Sequence, residues 1–125
     1  MRLRSDIWVA AYLRRCGVEG ASAVLRRRGS AEAGAIFVKV DHLNGRATLY
    51  EPAPQSLAAG AAPGVERLFT RAHKDPSIDS NAAEERLRRE VSFDPDLWIV
   101  EVEDGEDGAW LDLAPQPGPP QAPFS

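Results

Sequence analysis

The chain has 125 residues, 43% of them hydrophobic, with one cysteine and a formal net charge of −4. This length suits a single domain, and the absence of a run of about 18 apolar residues excludes a membrane-spanning helix. One cysteine cannot form an internal disulfide and the first residues lack the apolar segment of a signal peptide, so we expect a cytoplasmic protein.

The first predicted element is a helix over about residues 6–16. Ser5 precedes it and is a good N-terminal cap, because its hydroxyl can accept a hydrogen bond from a free backbone N–H of the first turn. The apolar arc of this helix is wide, with one stripe through Ile7, Ala10, Ala11 and Arg14 and with Val9, Leu13 and Cys16 beside it. A helix of this kind is expected to pack part of this arc against the rest of the domain.

Three strands are predicted next, over residues 22–28, 35–41 and 46–51. The near-continuous apolar run at 35–41 indicates a central strand. The Asn44-Gly45 dipeptide favours a tight type I′ turn, because both residues tolerate positive φ. The two strands on either side of this turn are therefore predicted to form a hairpin.

The second half of the chain combines loops, one helix and shorter strands. In order, the pattern predicts a loop at 52–65, a short strand within 65–71, a helix at about 80–92, a strand at 97–103, an acidic turn at 104–108 and a short strand at 110–113. Residues 114–125 contain five prolines and no charge. We expect them to be a disordered tail.

Together these elements predict an α+β fold, with a mainly antiparallel sheet of five to six strands and two helices packed on one face. The domain is expected to cover residues 1–113. The sheet face left uncovered would carry Leu25, Phe37 and a tryptophan. Such an apolar face would favour a homodimer.

Four segments together resemble a known family. They are Ser5–Arg15, Arg27–Gly29 with Ala33–Val38, Leu49–Gln55 and Phe93–Asp104. Over residues 1–113 the chain resembles a small alphaproteobacterial family catalogued as domain of unknown function 1491, and the Asp-Pro-Asp-Leu-Trp run at 94–98 is its most distinctive part. The resemblance implies a bacterial cytoplasmic protein with a shared fold, and it implies no catalytic residues.

The first candidate site is the cluster Arg26, Arg27, Arg28 and Gly29. Guanidiniums beside a glycine turn can hold a phosphate or carboxylate through paired hydrogen bonds. The structural alternative is cross-strand pairing, because Glu101 and Glu103 alternate along one strand face as Arg26 and Arg28 do. The residues favour this pairing and leave anion binding open.

The charge of the chain is divided between its two parts. Residues 1–50 carry nine basic and four acidic side chains, and residues 51–125 carry six basic and fifteen acidic ones. Such asymmetry can mark a nucleic-acid face. The total charge is negative, however, and binding to phosphate is mainly electrostatic, so we expect two parts that attract each other and disfavour nucleic acid as a partner.

Acidic and aromatic residues supply the remaining candidates. Asp104–Gly108 does not have the ligand spacing of a calcium loop, and the cysteine and histidines do not have that of a zinc site, so we expect no metal and no cofactor. Trp8, Phe37 and Trp98 are a candidate interaction surface. Packing in the core is the alternative for these aromatic side chains.

The leading functional prediction is a non-enzymatic binding or protein-interaction module with an unidentified protein partner. It depends on the lack of a catalytic constellation, on the long loop at 52–65 and on the proline-rich tail, and the module is expected to act through the sheet face and that loop. The first alternative is a binder of an anionic ligand or nucleic acid that uses Arg26–Arg28. The second is a small enzyme with a carboxylate–arginine site formed by Arg28, Glu101 and Glu103.

Overall fold

The computed structural model describes residues 3–54, 67–103 and 109–114. Its elements are α1 (Ser5–Val18), β1 (Ser22–Arg27), β2 (Ile36–Asp41), β3 (Arg46–Pro52), β4 (Phe69–Arg71), β5 (Ile78–Asp79), α2 (Ser80–Phe93) and β6 (Trp98–Glu103). The predicted acidic turn, most of the predicted 52–65 loop and the proline-rich tail beyond Ala114 lie outside the described residues.

The six strands form one sheet in the order β1-β6-β2-β3-β4, and β5 pairs with the other end of β3. All pairs are antiparallel except β2 with β6, which run parallel. The parallel pair arises because the chain leaves the sheet after β5 and returns through α2 to the centre, which is the crossover that parallel strands require. The predicted α+β class and mainly antiparallel sheet are confirmed.

The two helices lie on opposite faces of this sheet. Tyr12 and Cys16 of α1 pack in one cluster with Val38, whereas Leu87 of α2 packs in a second cluster with Phe37. Neighbouring residues of a strand point to opposite faces, so the expectation of two helices on one face is wrong. The physical reason is that β2 carries apolar residues on both faces, and each face must be covered to bury them.

The helix α1 begins at Ser5, but Ser5 does not cap it. Its fully buried hydroxyl donates to the carbonyl oxygen of Gly34 at 2.6 Å. The backbone N–H groups of Ser5 and Asp6 donate instead to the carbonyl oxygens of Glu32 and Ala31. The loop before β2 therefore satisfies donors that the first turn of a helix leaves free.

The buried side of α1 is the Val9 and Cys16 part of the predicted arc, and the stripe through Ile7 is exposed. Val9 and Tyr12 are buried, whereas Ile7 is 49% exposed and Ala10 and Ala11 are also exposed. Apolar residues surround most of this helix, so periodicity alone does not decide which side is covered. The hydroxyl of Tyr12 donates to a buried carbonyl oxygen, which fixes the rotation of α1 on the sheet.

The predicted β2–β3 hairpin is confirmed, but its turn is longer than expected. Leu43 and Gly45 have positive φ, at 61° and 85°, and Asn44 does not. The side chain of Asp41 accepts from the N–H of Leu43, and the side chain of Asn44 accepts from the N–H of Arg46. These local bonds stabilise a longer connection in place of the two-residue type I′ turn.

A histidine side chain completes the outer edge of β3. The strand pairs with β4 and with β5 at its two ends, and the N–H of Leu49 lies between these pairings. Nε2 of His73 accepts from that N–H at 3.0 Å, and Nδ1 lies 2.7 Å from the carbonyl oxygen of Asp75. The ring is therefore neutral with its proton on Nδ1, because Nε2 must accept.

Candidate functional site

Segments that carry the family resemblance meet around Trp98. The indole Nε1 donates to the carbonyl oxygen of Ser30 at 2.8 Å, and the N–H of Ser30 donates to the carbonyl oxygen of Asp96 at 2.8 Å. A Cβ on Gly29 or on Gly34 would overlap that same Asp96 oxygen and the indole ring. Gly29 is therefore required for the close approach of backbone to tryptophan, and not for a loop that holds an anion.

Arg27 and Arg28 contact the same part of the molecule. Nη2 of Arg27 donates to the carbonyl oxygen of Pro95 at 2.7 Å. Cζ of Arg28 lies 5.3 Å from the centre of the Trp98 ring, within the range of a cation–π contact. The two guanidiniums therefore point to different partners and do not converge with Arg26 on one anion.

Arg26 belongs to a closed ion-pair network on the α2 face. Its guanidinium donates to both oxygens of Glu84 at 2.7 Å and to Glu101 at 2.9 Å. The buried Lys39 ammonium donates to Glu84 at 2.6 Å. The hydrogen bonds from Arg26 and then Lys39 outweigh burial and hold the pKa of Glu84 at about 2. Two cations and two carboxylates balance here, so this network needs no external ion.

The structure does not bring Arg28, Glu101 and Glu103 together. Arg28 lies over Trp98 on the α1 face, whereas Glu101 contacts Arg26 on the α2 face. Glu103 is exposed at the end of β6. The predicted carboxylate–arginine catalytic site is therefore not formed, because the sheet separates its basic and acidic members.

The aromatic residues predicted as an interaction surface lie in the core. Phe37 is 6% exposed and Trp98 is 1% exposed, on opposite faces of the sheet. Trp8 is half-buried, with its ring centre 5.0 Å from that of Tyr12 and 5.3 Å from that of Phe69. A helix therefore covers Phe37 and Trp98 on their faces of the sheet, whereas Trp8 on α1 stays partly accessible.

An open groove of about 440 Å³ lies on the outer side of α1. The residues that line it are Asp6, Ile7, Ala10, Ala11, Arg14 and Arg28. Within the part of the chain that the structure describes, Arg14 has no hydrogen-bond or ion-pair partner, and Arg28 has only its contact with Trp98. The groove therefore combines an apolar floor with two cations that face solvent.

Sequence reasoning missed this groove because it did not decide which part of the wide apolar arc of α1 is buried and which part is exposed. One signal was present in the pattern. Arg14 lies on the stripe through Ile7 and Ala10, and a stripe that ends in a charged residue fits a surface better than a core. The contribution of Arg28 could not be found from spacing, because it lies fourteen positions after Arg14 in a different element.

The family model described as "Protein of unknown function (DUF1491)" matches residues 3–112. The chain belongs to the DUF1491 family. The solution structure of protein Atu0922 from A. tumefaciens matches with a TM-score of 0.75 and 39% identity, covering 95% of this chain and 100% of that one. No protein with a curated description matches.

Two further DUF1491 structures are similar, both from Caulobacter crescentus CB15. A crystal structure has a TM-score of 0.71 and 33% identity and covers 92% of this chain and 100% of that one. An NMR structure has a TM-score of 0.68 and 32% identity and covers 92% and 99% of the two chains. The family resemblance stated from four sequence segments is thereby confirmed.

Two classes of site are missing from the part of this DUF1491 protein that the structure describes. Over residues 3–54, 67–103 and 109–114, no helix is long and apolar enough to cross a membrane. In the same ranges, no three histidine, cysteine, aspartate or glutamate side chains gather where they could hold a metal ion. The described surface also has a second open groove of about 540 Å³ on α2, which is lined by Glu85, Arg88, Arg89, Ser92 and Phe93. Glu85 already supplies a carboxylate among those arginines, whereas the one carboxylate of the α1 groove is paired with Arg4.

Proposed function

We propose that this DUF1491 protein is a non-enzymatic interaction module that binds an apolar and acidic segment of a partner protein in the α1 groove. One observation carries the proposal, which is the exposed apolar floor between two arginines that have no acidic partner among the described residues. The proposal includes a cytoplasmic location for this protein, because its one cysteine is a buried free thiol.

The floor of the groove suits an apolar side chain. Ile7 is half exposed, and Ala10 and Ala11 are small enough for a partner backbone to approach the helix closely. Burial of such apolar surface stabilises a complex by roughly 25 cal/mol per Å² before the costs of association. The floor therefore supplies affinity that a purely charged surface would not.

The two arginines add a requirement for negative charge. A guanidinium binds a carboxylate through two parallel hydrogen bonds. Arg28 is held over the Trp98 ring, so less of its conformational freedom is lost on binding. Asp6 at the end of the groove lies 3.3 Å from Arg4, which reduces its repulsion of an acidic partner.

The lining residues also argue against the two alternatives. They include no histidine, cysteine, serine or lysine, and the one carboxylate is paired, so the groove has no evident nucleophile or general base. An apolar floor is poorly suited to a phosphate backbone, and the net charge of −4 repels it. A protein segment that carries carboxylates beside apolar side chains fits both features.

A random peptide library displayed on phage tests the proposal with a defined probe. The immobilised protein is expected to enrich peptides with Asp or Glu beside large apolar residues. A synthetic peptide from that set is expected to lose at least about tenfold in affinity for the variant Arg14→Glu/Arg28→Glu. The matched control Arg15→Glu/Lys74→Glu makes the same charge change at exposed positions outside the groove and is expected to bind normally.

Two outcomes count against the proposal. Equal binding of the selected peptide to the wild type and to the groove variant would place the site elsewhere. A library that yields no enriched sequence would reject a peptide-binding groove altogether.

A further inference from the structure

The strand β1 is an open edge of the sheet. It pairs with β6 on one side and with no described strand on the other. It has no buried residue, whereas β2 has five and β6 has four. Val24 is 54% exposed and Leu25 is 37% exposed. An edge strand presents a row of unpaired backbone N–H and C=O groups, and exposed apolar side chains make it a template for another strand.

The other edge of the sheet is protected. The strand β4 has three residues, and the segment that follows Leu111 runs beside it. The N–H of Phe69 donates to the carbonyl oxygen of Asp112, and the carbonyl oxygen of Phe69 accepts from the N–H of Ala114. Among the described strands, an open edge of useful length is therefore found at β1.

We propose that β1 pairs antiparallel with β1 of a second copy of this chain, so that two sheets join across a two-fold axis at Val24. This contact is separate from the α1 groove, and it can form whether or not that groove binds a partner protein. The occupant of the edge is the same strand from another molecule, which makes the interface self-complementary.

The register of this pairing follows from symmetry. Residues opposite each other in an antiparallel pair point to the same face of the sheet. With the axis at Val24, this side chain lies against the partner's Val24 and Ala23 lies against the partner's Leu25, whereas Ser22 faces the irregular part of the partner's strand at Arg26. Apolar residues therefore meet apolar residues at the centre, and no two like charges are opposed.

The charges near the edge favour a neutral strand over an acidic one. Arg26 is already paired with Glu84 and Glu101, so it leaves little attraction for carboxylates on an incoming strand. The register irregularity between Leu25 and Arg27 limits the regular part of the edge to the short run from Ser22. The Ser-Ala-Val-Leu run of β1 itself has the neutral, aliphatic character and the length that this edge accepts.

The limited length of the pairing predicts a weak dimer. Interfaces that bury little area belong to the transient class. Sedimentation velocity from about 1 μM to about 1 mM protein is therefore expected to show a reversible monomer–dimer equilibrium that shifts with concentration. The outward amides of β1 are expected to exchange more slowly at the high end of that range.

Charge substitutions at the axis test the register. Val24→Lys is expected to raise the dimer dissociation constant at least about tenfold, because two like charges would face each other. Val24→Glu is expected to do the same, and a mixture of the two variants is expected to restore a dimer. Leu43→Lys is the matched control, since it adds the same charge at an exposed position in the β2–β3 turn and is expected to change nothing.

Each opposite result overturns the proposal. A wild type that stays monomeric up to the highest concentration rejects self-pairing. A dimer that tolerates Val24→Lys, or variants that do not recombine, would place the contact elsewhere. Protection of β1 amides that appears only when another protein is added would mean that a foreign strand occupies the edge. Circular dichroism confirms that each variant is folded, as expected for an exposed position.

Discussion

At the scale of single residues, Lys39 shows how the chain accommodates a charge inside its sheet. The residue lies in the central strand β2 and is 4% exposed. Its ammonium lies 2.6 Å from Glu84 and 3.9 Å from Glu101. A charge this buried is stable only while it is paired, because the cost of taking it out of water must be offset by its partners.

Removal of the α2 partner is therefore expected to destabilise the fold. Glu84→Gln should lower the free energy of unfolding by about 3 kcal/mol, because Lys39 and Arg26 keep their charges and lose their shared carboxylate. The double variant Lys39→Met/Glu84→Leu removes both charges and should cost clearly less. Urea unfolding followed by tryptophan fluorescence measures both, and equal losses would contradict the account.

His73 is expected to make stability depend on pH. Burial lowers the pKa of His73 below its usual 6.5, and the N–H of Leu49 donates to the ring nitrogen that a second proton would occupy. In the unfolded chain the ring keeps its ordinary pKa, so at low pH the unfolded state binds more protons. The stabilisation is complete above about pH 6.5 and decreases as the pH falls through the lower pKa of the folded state.

The variant His73→Gln separates this effect from other titrating groups. Its melting temperature should lie below that of the wild type at about pH 7.5, and the gap should narrow as the pH falls below about 6.5, because the unfolded wild-type chain then gains a proton that the folded ring resists. Thermal unfolding at a series of pH values measures the gap. A gap that is constant across the series would show that His73 does not titrate in this way.

At the scale of elements, the loop between β1 and β2 connects α1 to β6 through hydrogen bonds. It contacts the start of α1 through Ala31 and Gly34 and the start of β6 through Ser30. Backbone groups make most of these contacts, so side-chain patterns of the loop do not reveal them. Glycine is needed where the loop passes Trp98 most closely.

Replacement of single glycines by alanine should distinguish the glycines that allow close packing from a glycine that only lowers helix propensity. Gly29→Ala and Gly34→Ala should each destabilise the protein by about 2 kcal/mol or more, because a Cβ would overlap the backbone of Asp96. Gly17→Ala, inside α1, meets open space and should stabilise by about 0.5–1 kcal/mol. Chemical denaturation gives the three values, and a neutral effect at Gly29 would contradict the close approach.

At the scale of the whole molecule, two apolar clusters share one sheet. The cluster under α1 includes Val9 and Trp98, and the cluster under α2 includes Leu87 and Phe37. Neither helix has a face to pack on once the sheet is lost, so the two clusters are expected to form and break together. This arrangement predicts cooperative unfolding in spite of the separation of the clusters by the sheet.

Two probes, one for the α1 face and one for both helices, test this cooperativity. Tryptophan fluorescence follows the α1 side, where Trp98 lies, and far-ultraviolet circular dichroism follows both helices. Their urea transitions should coincide, as in other small two-state domains. Leu87→Ala is expected to shift both transitions equally by about 2–4 kcal/mol, whereas a shift in one probe alone would show that the faces unfold separately.

The residues alone predict the local elements well. The apolar run of β2, the hairpin that follows it and the helix broken before Pro95 depend on neighbours in sequence, so periodicity and turn residues are enough to find them. The family was also evident from sequence, since its distinctive segments are continuous stretches of chain. The α+β fold class follows from the order of these elements along the chain, because a mainly antiparallel sheet accommodates hairpins and one crossover.

Tertiary structure alone decided which surfaces are covered and which charges are paired. Arg26 meets Glu84 across fifty-eight positions, and His73 meets the N–H of Leu49 across twenty-four. The α1 groove exists because Tyr12 rather than Ile7 turns inward, and α2 covers the second sheet face because apolar residues on both sides of β2 need burial. Sequence thus determined the elements and the family, whereas packing determined the groove and the open edge, since surface exposure depends on contacts between residues far apart in the chain.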